Sequence, residues 1–181
     1  MLEELKLVKK IQKKGDRNSA DRLIRMYYDD IQRFIMKQTR DVEVSLDLTQ
    51  ETFISMLQTI AYFDEKKSSF KTWIYRIATN KTIDYFRSKN FKNNTKNISL
   101  DDIEPIDESN FTDMLDNKEI SEKICKYVSG LPNELQKIFR LHMFAEYTFA
   151  EISKELNQPE SSVKTKYYRI INTLRKEFKN E

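Results

Sequence analysis

The chain has 181 residues, 34% of them charged and 39% hydrophobic, with 2 Gly, 3 Pro, 1 Cys and 1 His. One cysteine excludes an internal disulfide and a cysteine-built zinc site, and the lone His142 excludes a two-histidine metal centre. Gly15 and Gly130 stand alone, which removes Gly-rich phosphate loops and argues against a turn-rich β-fold, so no enzyme activity, metal or cofactor is expected.

The first residues, MLEELKLVKKIQKKGD, mix both charges and lack the apolar stretch of a secretory signal. No apolar run approaches the roughly 18 residues of a membrane span. The expectation is a cytoplasmic protein without membrane insertion. Net charge is +3, unevenly spread: residues 1–90 carry 18 Lys+Arg and 13 Asp+Glu, 91–120 carry 3 and 8, and 121–181 carry 11 and 8. Two basic modules flanking an acidic connector suggest a polyanion partner.

Along the chain, Leu23, Tyr27, Ile31, Phe34 and Ile35 recur at helical spacing, as do Leu48, Phe53, Met56, Leu57 and Ile60. Asp47, three residues before Gln50, reads as a cap for the second of these helices. A third helix is expected to open near Ser68-Ser69 and run through FKTWIYRIATNKTIDYFRSK. On it Trp73, Arg76, Asn80, Asp84 and Arg87 share a polar strip, opposite Phe70, Ile74, Ile77, Ala78 and Tyr85. Residues 66–89 hold 7 Lys+Arg against Asp84 alone. Cations, amides and aromatics on one strip suit single-stranded nucleic acid, although Trp73 is more often a core residue than a stacking platform. Asp84 has Arg76, Lys81 and Arg87 within reach as surface ion-pair partners.

From Ser88 to Glu119 the composition turns to Asn, Asp and Ser without periodicity, the signature of a flexible acidic linker. A last helical group begins at Leu131-Pro132. Within it Thr148-Phe-Ala-Glu151 spells a capping box, Asn157-Gln-Pro-Glu160 a break, and Ser161 or Ser162 the cap of a second helix. That helix places Val163, Tyr167, Ile170, Ile171, Leu174 and Phe178 on its apolar side. Thr165, Arg169, Asn172 and Lys176 lie opposite, flanked by Lys164 and Tyr168. A short helix, a tight break and a helix with a basic outer face present a major-groove reader; Arg169 or Lys164 suits guanine, and Thr165 or Ser162 a phosphate or base edge. An amphipathic helix with a merely solvated basic side is the plainer reading. The fold class is all-α: two helical domains, 1–89 and 120–181, joined by the linker 90–119.

LIRMYYDDIQRFI, DLTQETFI, SSFKTWIYRIATNKTIDYFR and LPNELQKIF followed by YTFAEISKELNQPESSVKTKYYRIINTLRK resemble, in order, the blocks of bacterial sigma factors. The chain is similar to the two-domain extracytoplasmic-function (ECF) group of the sigma-70 family over roughly residues 20–89 and 125–178. The resemblance implies a non-catalytic subunit that binds core RNA polymerase at its β′ clamp helices and β flap. It would read minus-ten and minus-thirty-five promoter elements, as duplex and as single strand, and help melt the duplex between them. By position Asp47, Gln50 and Glu51 would contact the clamp helices, with Phe53 packed beneath. Phe63, Lys66, Lys67, Ser68, Ser69, Lys71, Trp73, Arg76, Asn80, Asp84 and Arg87 would serve the minus-ten element, the loop holding a flipped base. Ser161, Ser162, Lys164, Thr165, Tyr168 and Arg169 would serve the minus-thirty-five element. The linker would thread toward the RNA exit channel, and an anti-sigma factor is an expected partner. The loop FDEKKSSF departs from the family in lacking its common Gly, and Ser161-Ser162 replaces a common Gly-Thr. Cys125 and His142 match nothing functional. An autonomous helix-turn-helix regulator would also explain residues 148–175, but it has no use for DLTQETF.

Overall fold

A computed structural model describes residues 2–89 and 118–178 of the chain. The described residues are helical and fall into two compact units, Met1–Thr82 and Ile83–Glu181. The expected linker lies almost wholly outside them, except that Ser88 and Lys89 finish one helix and Lys118 and Glu119 begin another.

In the first unit α1 (Leu2–Lys14) buries Leu7, Val8 and Ile11 against α2 (Arg17–Thr39). Gly15 ends α1 at φ +60, a left-handed conformation that glycine adopts without a Cβ penalty. Asp16 then caps α2 by accepting from the Ser19 amide at 3.0 Å. Helix α2 buries Leu23, Tyr27, Ile31, Phe34 and Ile35, the stripe that its spacing predicts. Helix α3 (Val42–Thr59) is capped six residues earlier than expected. Asp41 is the cap, accepting from the Val44 amide at 3.1 Å, and Asp47 stands exposed in the helix interior. A 3-10 turn (Ile60–Tyr62) leads through residues 63–69 to α4 (Phe70–Lys89), whose residues from Ile83 onward fall in the second unit. Phe63, Phe70 and Trp73 pack ring to ring with centroids 5.3–5.6 Å apart, and Tyr27 reaches Phe70 at 5.4 Å.

The second unit holds α5 (Lys118–Ser129), α6 (Asn133–Met143), α7 (Phe149–Leu156) and α8 (Glu160–Phe178). Helix α5 precedes the group expected from Leu131. The Gln136 amide ties the α5–α6 turn by donating to the carbonyls of Ser129 at 3.2 Å and Leu131 at 2.8 Å. Ile124, Val128, Ile138, Phe139, Ile152, Val163, Tyr167, Ile170, Ile171 and Leu174 are buried. Cys125 is buried with them, and His142 is half-buried, its ring stacked on Phe149 at 4.2 Å.

Candidate nucleic-acid interface and docking helix

Helix α3 buries Ser45, Leu48, Thr49, Thr52, Phe53 and Met56. Thr49 and Thr52 donate their hydroxyls to the carbonyls of Ser45 and Leu48, both at 2.7 Å, so these buried polar groups are paired. The opposite face is open. Asp47, Gln50 and Glu51 are exposed on it, while Phe53 lies beneath and stacks on Tyr28 at 6.0 Å. Interleaved with the acids are Leu46, Ile54 and Leu57, respectively 37%, 55% and 40% exposed. Leu57, expected in the core by its spacing from Phe53, is on this outer face. The sequence signal for Leu46 and Ile54 is their phase: about 100° per residue sets them across the helix from Leu48, Thr52 and Met56. A mixed acidic and apolar stripe on an ordered helix suits a protein partner with complementary cations.

The segment that joins the 3-10 turn to α4 is built around Asp64. Its carboxylate accepts from the Lys66 amide at 2.9 Å and its carbonyl from the Lys67 amide at 3.0 Å, which turns both lysines outward. Lys66, Lys67 and Ser69 are exposed and Ser68 is half-buried. The nearby acid Glu65 is paired with Lys9 at 2.8 Å, leaving the surface of the loop cationic. Ser69 caps α4 through the Thr72 amide at 3.0 Å, so its hydroxyl has a structural duty before any ligand arrives.

Along α4 Lys71, Asp84 and Arg87 are exposed and Arg76 and Asn80 half-buried. Asp84 pairs with Arg87 at 2.8 Å. Lys71 hangs over the Tyr75 ring at 5.7 Å. Two aromatics of the expected minus-ten set lie inside. Trp73 and Phe63 are each only 7% exposed, because the ring cluster with Phe70 takes their faces; they support the loop and offer no open stacking surface. Helical spacing put Trp73 on the polar strip, but an indole beside two phenyl rings is more stable inward. Ile77 and Tyr85, expected on the packing side, are half-buried. The exposed aromatic of this region is Tyr62, 86% exposed at the end of the 3-10 turn, which no periodic pattern marks.

In the second unit the capping box forms as its sequence predicts. The Glu151 carboxylate accepts from the Thr148 amide at 2.9 Å, and the Thr148 hydroxyl accepts from the Glu151 amide at 3.3 Å. Asn157 ends α7 at φ 52, ψ 49. Helix α8 then opens one residue before the expected caps: the Val163 amide donates to Pro159 O at 3.2 Å, so Ser161 and Ser162 sit inside the first turn. Pro159, with no polar side chain, stands at the cap position and supplies only this backbone carbonyl. Lys166 locks the turn, pairing with Glu134 of α6 and donating to Gln158 Oε1 at 2.7 Å. The hydrogen bond from Lys166 holds the Glu134 carboxyl below its usual range.

The outward side of α8 carries Ser161 and Lys164, exposed, with Ser162, Thr165, Tyr168 and Arg169 half-buried. Tyr168 leans on Phe149 at 5.8 Å. Lys164 pairs with Glu160 at 2.7 Å, and the Glu160 carboxylate raises its pKa. The arrangement is a short capped helix, a left-handed break and a longer helix with a mixed basic face, the geometry of a helix-turn-helix. Among the described residues no His, Cys, Asp or Glu cluster is arranged for a metal, and no helix is long and apolar enough to cross a membrane.

Comparison with known proteins matches the family of sigma-70 region 2 over residues 23–91 and that of sigma-70 region 4 over residues 121–174. The chain is 31% identical to the ECF RNA polymerase sigma factor SigM of Bacillus subtilis over 157 residues, covering 87% of this chain and 93% of that protein. It is 30% identical to SigW of the same organism over 186 residues, covering 98% and 99%. The RNA polymerase sigma factor YlaC of B. subtilis is 29% identical over 163 residues, covering 88% and 92%. Two helical units, a helix-turn-helix and two family regions in this order assign the chain: it belongs to the sigma-70 family of RNA polymerase sigma factors, in the ECF group.

Proposed function

We propose that this sigma factor docks on core RNA polymerase through the outer face of α3, opens a promoter with the 63–69 loop and α4, and reads the upstream element with α8. The observation that carries the proposal is the face of α3: Asp47, Gln50 and Glu51 stand in water beside Ile54 and Leu57. A DNA-binding domain acting alone has no reason to keep such a stripe exposed. The β′ clamp helices are its partner and the β flap that of the second unit.

At the minus-ten element Lys66 and Lys67 neutralise phosphates of the unpaired strand, while Ser68 and Ser69 edge the pocket for a flipped base. Unstacking a base costs a few kcal/mol, which pocket and phosphate contacts offset. Lys71, Arg76, Asn80 and Arg87 continue the cationic strip toward duplex DNA, with Asp84 orienting Arg87. At the minus-thirty-five element Lys164, Thr165 and Arg169 face base edges, and Ser161, Ser162 and Tyr168 the backbone. Domains 1–89 and 120–181 joined by residues 90–119 hold both elements at once, a gain in effective concentration. The protein directs catalysis by the polymerase and performs none, works in the cytoplasm, and is restrained by an anti-sigma factor that covers both faces.

Ile54→Asp tests the docking assignment in a core pull-down. Retention by core should fall at least tenfold, while the far-ultraviolet circular dichroism stays that of the parent. Unchanged retention would move the docking face elsewhere.

A further inference from the structure

Helix α1 lies outside the region 2 match, which begins at residue 23, yet it reaches the loop assigned to the minus-ten element. Gln12 Nε2 donates to two carbonyls, Ile60 O and Phe63 O, each at 2.9 Å. These are the two ends of one turn, since the Phe63 amide donates to Ile60 O at 3.1 Å. One residue further, Asp64 sets the direction of Lys66 and Lys67. Lys9 adds its ion pair to Glu65.

Packing alone does not fix this junction. A pocket of about 220 Å³, lined by Leu5, Val8 and Phe63 with Gln12 among its polar residues, opens between α1 and the start of the loop. Polar side chains span the gap. On its other side α1 is fixed to α2 by buried Leu7 and Ile11, by the Tyr27 hydroxyl on the Glu4 carboxylate inside the core, and by Arg22 on Glu3. Gln12 itself is exposed, so what it supplies is two donors, not buried bulk.

We infer that Gln12 is a positioning residue for minus-ten recognition: its amide group fixes the angle at which the chain leaves the 3-10 turn, and so where the loop presents Lys66 to Ser69. The inference rests on the assignment of that loop to minus-ten DNA. Because α1 is held independently by α2, the amide transmits a fixed position to the loop rather than merely closing a surface.

The test uses holoenzyme reconstituted with bacterial core polymerase and a minus-ten non-template oligonucleotide taken from a promoter selected by run-off transcription. Gln12→Leu, which keeps the size and removes both donors, should weaken oligonucleotide binding by roughly five- to thirty-fold, within the span of two ordinary net hydrogen bonds. Affinity for core should be unchanged, and amide exchange at residues 64–69 should accelerate. Gln12→Lys, which returns N–H donors to this position, should restore binding. Unchanged oligonucleotide affinity in Gln12→Leu would overturn the inference, as would a loss that Gln12→Lys fails to restore. A Lys66→Glu/Lys67→Glu variant separates the two levels. If it loses the oligonucleotide while Gln12→Leu does not, the role of Gln12 alone falls. If it keeps full affinity, the assignment of the loop falls and the inference with it.

Discussion

The carboxylate of Glu51 on α3 lies 3.3 Å from the ammonium of Lys81 on α4. The pair joins the helix assigned to polymerase to the helix assigned to promoter DNA. Its side chains are 55% and 31% exposed, and a pair so open to water contributes about 0–1 kcal/mol. Glu51 is therefore free to trade Lys81 for a cation of a partner at little cost.

Glu51→Arg reverses the charge of the docking stripe and sets a cation against Lys81. Retention on core polymerase should fall at least tenfold, with a change in melting temperature of only a few degrees, because the lost pair is a surface pair. Core binding at the level of the parent would contradict the placing of the docking face.

Thr148→Ala removes half of the capping box of α7. The expected cost is about 1 kcal/mol, the typical value for a lost hydroxyl cap. Thermal unfolding of the second unit should shift down by several degrees, and affinity for minus-thirty-five duplex should fall with it. An unshifted transition would mean that Glu151 alone holds the start of the helix.

How far the sequence disclosed this arrangement differs from element to element. The Thr148–Glu151 box was readable because both its partners are local and the pattern has few other uses. The cap at Asp47 was misread for the opposite reason. DLTQ has the look of a helix start, but Asp41 had already started the helix, and an exposed Asp costs little in a helix interior. Ser161 and Ser162 were displaced from capping by Pro159, whose backbone performs that task. Trp73 fits the polar strip by period and the core by chemistry, and tertiary packing with Phe63 and Phe70 decided between them. The contact from Gln12 to Ile60 and Phe63 spans 48 and 51 residues, and no local rule reaches that far.

Glu160→Gln releases Lys164 from its ion pair and removes a negative charge beside the expected DNA face. Holoenzyme should bind minus-thirty-five duplex a few-fold more tightly, because the freed ammonium meets the base edges without a carboxylate beside it. Weaker binding would show that Glu160 places Lys164 for base recognition instead of restraining it.

The Glu134–Lys166 pair gives a pH dependence with a defined sign. Lys166 holds the Glu134 carboxyl below its ordinary value of 4.5. A depressed folded-state pKa stabilises fully above the unfolded value and is lost as pH falls through the folded one. The melting temperature of the parent should therefore exceed that of Glu134→Gln near pH 7, and the gap should close as pH drops below about 4.5. A gap that stays constant down to pH 3 would exclude this pair as its source.

Reconstitution with bacterial core RNA polymerase, followed by run-off transcription on a promoter library, tests the central claim most directly. The account predicts retention on core and initiation, dependent on this chain, at promoters that share one pair of minus-ten and minus-thirty-five elements. Binding to duplex DNA without association with core, and no transcription from any member of the library, would contradict it.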